Sequence, residues 1–154
     1  MIRALRPADL PAIKAIVNSV NLFPADLLDE MTAAHFADSG SSDLWFVSVD
    51  QEPVAVAYVA PERMTSGTWN NFLLAVAKDH HGKGHGLALL RHVETATRAR
   101  GGHLLLVETS GLPEFARTRG FYGSVAGYAN VGLIPDFYQP GEDKIIFAKA
   151  LTNR

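Results

Sequence analysis

The apolar positions of the chain change period several times, and each change marks an element. Met1 to Arg6 reads as a short strand; beyond Asp9, a residue suited to cap a helix, Leu10, Ile13, Ile16, Val17 and Val20 recur at helical spacing. Pro24 stands just ahead of a second helix expected from Asp26 to about Ala37, with Leu27, Leu28, Met31, Ala34 and Phe36 apolar. Asp38 to Asp43 is rich in Ser and Gly and reads as a loop. Leu44 to Val49 and Val54 to Val59 are β-rich runs separated by Asp50, Gln51, Glu52 and Pro53, the pattern of a hairpin. Trp69 to Val76 follows as another strand after the loop around Gly67.

Gly84 to Arg100 carries the longest helical pattern: Leu87, Leu90, Val93 and Ala96 face one way, Arg91, His92, Glu94, Thr95 and Arg98 largely the other. His103 to Val107 is nearly all apolar, as expected of a strand covered on both faces. The stretch from Trp69 to Glu108 is therefore expected to be a right-handed parallel crossover. Leu112 to about Ser124 reads as helix despite Gly120, and Tyr128 to Leu133 and Lys144 to Leu151 as closing strands. The expected class is α/β in the mixed, α+β sense, as a single domain over residues 1–154 with no repeat or dividing linker.

Composition removes several function classes. At 154 residues with 47% hydrophobic and 19% charged residues, the chain suits one domain, and a domain of this size hides roughly 68–70% of its unfolded surface. Cysteine is absent, which excludes thiolate nucleophiles, disulfides and cysteine zinc sites. A net charge of −2 and a pI near 6.3 without a basic stripe argue against a nucleic-acid partner. The N-terminal residues lack the apolar stretch of a signal peptide, and no apolar run approaches the ~20 residues of a membrane span. A cytoplasmic protein without a membrane partner is expected.

The chemistry concentrates in His80-His81-Gly82-Lys83-Gly84-His85-Gly86, between a buried strand and the longest helix. Alternate glycines leave backbone N–H groups unshielded, and a helix N-terminus adds the positive end of its dipole, so the loop can hold a phosphate. A dinucleotide fingerprint fails on spacing: Leu87 stands where the third glycine belongs, although Glu108 mimics the ribose-binding acid. A P-loop fails too, because Lys83 is followed by Gly84 rather than Ser or Thr. His80, His81 and His85 suggest a metal, but the glycines break the helical spacing and no H-E-x-x-H pattern exists. They read as solvent-facing loop histidines, and no metal site is expected.

Val76 followed by AKDHHGKGHGLALL resembles the acetyl-CoA-binding segment of the GNAT N-acetyltransferase superfamily, Gln/Arg-x-x-Gly-x-Gly/Ala after a strand ending in Val. The pattern maps onto His81, Gly84 and Gly86, with His81 in place of the usual Gln or Arg. IRALRPADLPAIKAIV is similar to the family's opening, VETS at Val107 to Ser110 to its next strand, and Phe121-Tyr122 with Gly127-Tyr128 to its later FY and GY segment. Asp136 to Lys144 is similar to a closing loop and strand in one branch of the family. The stretch between Tyr122 and Gly127 is one residue longer than the common spacing.

The resemblance implies the GNAT acyl-CoA N-acyltransferase fold: a mixed, mostly antiparallel sheet, split between the parallel strands 69–76 and 103–108. It implies acetyl-CoA-dependent N-acetylation of a primary amine on a small molecule or protein, or, alternatively, a non-catalytic acyl-CoA-binding module. Leu74, Ala75 and Val76 would pair with the pantetheine, while His81, Gly82, Lys83, Gly84, His85, Gly86 and Leu87 would surround the pyrophosphate. Tyr122 becomes the candidate general acid, since a phenol stays protonated at neutral pH. Many relatives place a carboxylate base on the strand before the loop, where this chain has Asn70 and Asn71; Glu108, the nearest acid in sequence order, is the candidate base or a hydrogen-bonded structural acid, with a water chain as the alternative base. Asp26, Asp29 and Glu30 would attract a cationic acceptor or simply be solvated, and Trp45 and Trp69 read as core or pocket wall. Phe137 and Tyr138 suit either a homodimer contact or the acceptor channel.

Overall fold

The computed structural model describes residues 1–37 and 41–152. Its elements run β1 (Ile2–Ala4), α1 (Leu10–Ser19), α2 (Leu27–Phe36), β2 (Leu44–Asp50), β3 (Glu52–Pro61), β4 (Thr68–Val76), α3 (His85–Ala99), β5 (Leu104–Ser110), α4 (Ala116–Gly120), β6 (Ala129–Gln139) and β7 (Glu142–Ala150). A π turn, Phe121–Val125, follows α4 directly. The strands form one seven-stranded sheet in the order β1-β2-β3-β4-β5-β7-β6. Every neighbouring pair is antiparallel except β4 and β5. The crossover expected from the apolar runs is thus the link that makes the sheet mixed.

Both faces of the central strands are covered because the helices carry apolar residues that meet them. Ile13, Ile16 and Val17 of α1 and Leu28 of α2 cluster with Trp45, Val47, Val56, Leu73 and Ala75. Leu89, Leu90 and Val93 of α3 cluster on the other face with Ala55, Ala57, Val59, Trp69, Leu105 and Val107. Leu89, Leu90 and Val93 are wholly removed from solvent, each contributing about 1.5–3 kcal/mol by burial. Both tryptophans are core. No helix among the described residues is long and apolar enough to cross a membrane.

Several details depart from the sequence reading. Asp9 does not cap α1: its carboxylate takes both Arg3 guanidinium nitrogens, at 2.7 and 2.9 Å, and the Arg6 N–H at 2.8 Å, tying β1 to the turn ahead of the helix. These bonds, chiefly to Arg3, hold its pKa below the usual carboxylate value. Strands β2 and β3 extend until Asp50 faces Glu52, with Gln51 turning the chain at φ 66. Part of the expected loop from Asp38 to Asp43 lies outside the described residues.

Glu94, expected on the outward face of α3, is buried. It accepts from Tyr128 Oη at 2.7 Å, Arg91 at 2.8 Å and Lys149 at 3.1 Å, and these partners compensate its desolvation. β6 runs on to Gln139 rather than ending at Leu133. Its register with β7 shifts once between Asn130 and Gly132, runs to Ile134↔Lys144 and resumes only at Gln139↔Glu142. Pro135 to Tyr138 therefore arch away from β7, and Asp136 adopts φ 56 within the arch.

Candidate active site

The parallel strands stay together for a short distance. β4 and β5 pair from Thr68↔Leu104 to Asn71↔Val107 and no farther. The cause lies in β4, where pairing with β3 jumps from Tyr58↔Leu73 to Val59↔Asn71 and leaves Phe72 as an extra, bulged residue. A bulge bends its strand and increases the local twist. Beyond it, Leu73 to Val76 stay with β3 while the side that faced β5 is open. Ala77 N–H donates to Val54 O at 2.8 Å; strand alternation then directs the main-chain groups of Leu74 and Val76 into the open fork.

The glycine loop closes the wide end of this fork. His81 Nε2 lies 2.8 Å from the Val76 carbonyl and folds the loop back onto the strand. Gly82 at φ 77 and Gly84 at φ 85 then turn the chain into α3. At both glycines the space a Cβ would occupy is open, so it is the left-handed backbone that demands glycine. The first helical bond runs from Ala88 N–H to Gly84 O at 3.0 Å. The N–H groups of His85, Gly86 and Leu87 therefore have no partner within the helix and stand at the positive end of a 15-residue dipole. His80 is half-buried, with an edge contact to His85 at 5.9 Å, which corrects the solvent-facing reading. Among the described residues no three His, Asp or Glu side chains group as metal ligands.

Between fork and loop lies a cavity of about 690 Å³. Leu74, Ala75, Val76, His81, Gly82, Gly84, His85, Gly86, Leu87 and Tyr122 all line it. Lys83 and Glu108 are not among its walls. Val20 to Leu22 close one side; Arg117 and Thr118 of α4 close another, and no spacing in the sequence pointed to these two. Tyr122 is carried by the π turn, in which Ala126 N–H reaches back to Phe121 O at 2.8 Å. Its ring packs on Phe121, Phe147 and Tyr128 at 5.3, 5.9 and 6.2 Å between centroids. Burial pushes its phenol pKa well above the ordinary tyrosine value.

Glu108 is the first residue of β5 beyond the paired segment. Val107 points into the α3-side core, so alternation turns Glu108 to the opposite face. There its carboxylate lies 3.2 Å from Lys144 Nζ. The two asparagines of β4 sit at the crotch of the fork. Asn70 Nδ2 donates to Glu62 at 2.8 Å, while Asn70 Oδ1 and both polar atoms of the Asn71 amide are buried without a protein partner.

The model of the acetyltransferase (GNAT) family matches residues 13–128. A crystal structure assigned to the GNAT family, from Desulfovibrio desulfuricans, superposes with TM-score 0.91 at 30% identity, over 99% of each chain. The ribosomal-protein-S18-alanine N-acetyltransferase from Escherichia coli follows at TM-score 0.77 and 24% identity, over 100% of this chain and 95% of that one. An aminoglycoside 6'-N-acetyltransferase complexed with coenzyme A gives TM-score 0.68 and 19% identity, over 100% and 98%. No curated protein sequence matches. With its family match and its fold in agreement, the chain belongs to the GNAT family of acetyltransferases.

Proposed function

We propose that this N-acetyltransferase transfers the acetyl group of acetyl-CoA to a primary amine of a small molecule or protein. The observation that carries the reading is a single cavity bordered by the free edge of β4, the N-terminus of α3 and Tyr122. The donor set suits coenzyme A. Two glycines with open Cβ positions lead into a long helix, offering N–H groups and dipole to a diphosphate. The main-chain groups of Leu74 and the Val76 N–H offer a strand edge to an amide-bearing arm.

When bound, acetyl-CoA supplies a thioester acyl group, and the chain supplies orientation and protons. Tyr122, kept protonated by burial, donates a proton toward the sulfur side of the cavity. Glu108, just beyond the fork on the other face, takes the proton released by the amine. Asn70 and Asn71 do not compete for that role, because an amide accepts no proton at useful pH.

Calorimetry with coenzyme A and thiol release from acetyl-CoA over an amine panel test the reading together. Binding with amine-dependent release is expected. Binding without release from any amine would leave a binding module, and no binding would remove the assignment.

A further inference from the structure

Three ion clusters can be compared by how much of their bonding capacity the protein itself uses. Asp9 accepts three hydrogen bonds from within the protein, from Arg3 and the Arg6 N–H. Glu94 likewise accepts three, from Tyr128, Arg91 and Lys149. The Glu108–Lys144 pair is different. Its side chains are 22% and 12% exposed, yet among the described residues their ionic contact is with each other, through one carboxylate oxygen at 3.2 Å. A carboxylate accepts about four hydrogen bonds and an ammonium donates three. Each member of this half-buried pair thus retains free capacity.

Aromatic side chains stand on the same face of the sheet as the pair. Asn71↔Val107 is the last parallel pair, so Phe72 and Glu108 are the first residues past the fork on their two strands. Phe72 contacts Tyr58, 5.5 Å between ring centroids, placing it on the α1 and α2 side of the sheet, the face to which Glu108 turns. From the other bank the β6 arch folds over the pair, its Phe137 ring centroid 3.5 Å from Lys144 Nζ. The arch is pinned: Asp136 N–H donates to Asp143 at 3.0 Å and Gly141 N–H to Asp136 at 2.9 Å. Gln139 likewise occupies Glu142 at 2.9 Å, so these hairpin carboxylates serve the hairpin's own donors. Phe72, Phe137 and Tyr138 are nevertheless 51%, 48% and 46% exposed.

We infer that the Glu108–Lys144 pair is the recognition site for a zwitterionic acceptor, a small amino acid with an aromatic or bulky apolar body. Its ammonium meets the free Glu108 oxygen, its carboxylate meets the free donors of Lys144, and its body lies between Phe72 and the arch. One acid and one base side by side match one charge of each sign. A polyamine or aminoglycoside would bring a second cation against Lys144. This inference rests on the proposed acetyl transfer and narrows its acceptor.

The test is thiol release from acetyl-CoA with phenylalanine, phenylalanine amide, phenethylamine and spermidine, in the native protein and in Lys144→Met and Lys144→Arg. The native protein is expected to favour phenylalanine over its amide by about tenfold in kcat/KM, the worth of a charge-assisted hydrogen bond. Lys144→Met should bring the ratio close to one, mainly through KM, and Lys144→Arg should restore much of it. Coenzyme A affinity reports that each variant is folded. Amide, monoamine or polyamine turned over as well as phenylalanine by the native protein would overturn the inference and leave acetyl transfer standing. Coenzyme A binding with no release from any amine would remove both.

Discussion

The Tyr128 hydroxyl donates to the buried Glu94 carboxylate at 2.7 Å, joining the start of β6 to the middle of α3. The same segment is bonded to the Tyr122 turn, since Tyr128 N–H donates to Tyr122 O at 2.9 Å and Arg91 reaches Ala126 O at 3.1 Å. The turn that carries Tyr122 is therefore anchored through a charged hub in the core.

Tyr128→Phe removes one donor and leaves Glu94 with its two cations. A hydrogen bond to a charged group is worth about 1.5–3 kcal/mol, and for a chain of this size each kcal/mol lowers Tm by roughly 2–4 °C. Thermal unfolding should show a loss of about 3–12 °C on that conversion. Glu94→Ala, which leaves Arg91 and Lys149 without their acid, should cost more, about 3–5 kcal/mol. The reverse order would show that the carboxylate is not the hub.

Tyr122→Phe keeps the ring in its aromatic packing and deletes the proton. Turnover is expected to fall about 100-fold, a typical contribution of a positioned acid, with coenzyme A affinity retained. Burial keeps the native phenol protonated, so kcat should show no alkaline limb arising from Tyr122 at ordinary assay pH. Undiminished turnover in the variant would return Tyr122 to a purely structural role.

Much of this architecture could be read from the residues because local pattern and tertiary demand coincide there. The α3 stripe and the all-apolar β5 run read directly as helix and covered strand, and the Gly82 and Gly84 loop singled itself out once the dinucleotide and P-loop spacings failed. The Phe72 bulge had no such mark. Neither glycine nor proline announces it, and it arises from how β4 must pair with β3 on one edge and leave β5 on the other. Glu94 was misassigned because a charged residue on a helix is normally solvated, and its partners Tyr128 and Lys149 come from strands far along the chain. Lys144 was invisible for the same reason: its contact with Glu108 exists only through the β5–β7 register. The one residue of extra length between Tyr122 and Gly127 was visible, and it is accommodated as a π turn, the usual form such an insertion takes in a helix.

Two glycines near the cavity should respond in opposite directions to alanine. Gly84 lies at φ 85, where an L-residue costs about 1–2 kcal/mol. Gly120 lies at φ −63 with open space around it, where alanine stabilises by about 0.5–1 kcal/mol. Gly84→Ala should lower Tm and weaken coenzyme A binding together, and Gly120→Ala should raise Tm with affinity unchanged. Equal coenzyme A affinity in both would mean that the Gly84 turn is not part of the cradle.

The four tyrosines make the protein sensitive to alkali in a defined window. Burial first, then Asp43, pushes Tyr58 up to about 12. Burial raises Tyr122; burial and the Glu94 bond raise Tyr128; burial and the carboxylates of Glu108 and Glu142 raise Tyr138. In the unfolded chain all four ionise near the reference value of ~10. A folded-state value above the unfolded one favours the native state fully below ~10, and the advantage is lost as pH rises through the folded value. Tm should therefore hold up to about pH 10 and fall steeply between about 10 and 12. At about pH 11 the native protein should show less than half the tyrosinate absorbance of the same chain in guanidinium. Full ionisation near pH ~10 with native circular dichroism retained would contradict the burial of Tyr122 and Tyr128, and with it the protonated donor in the cavity.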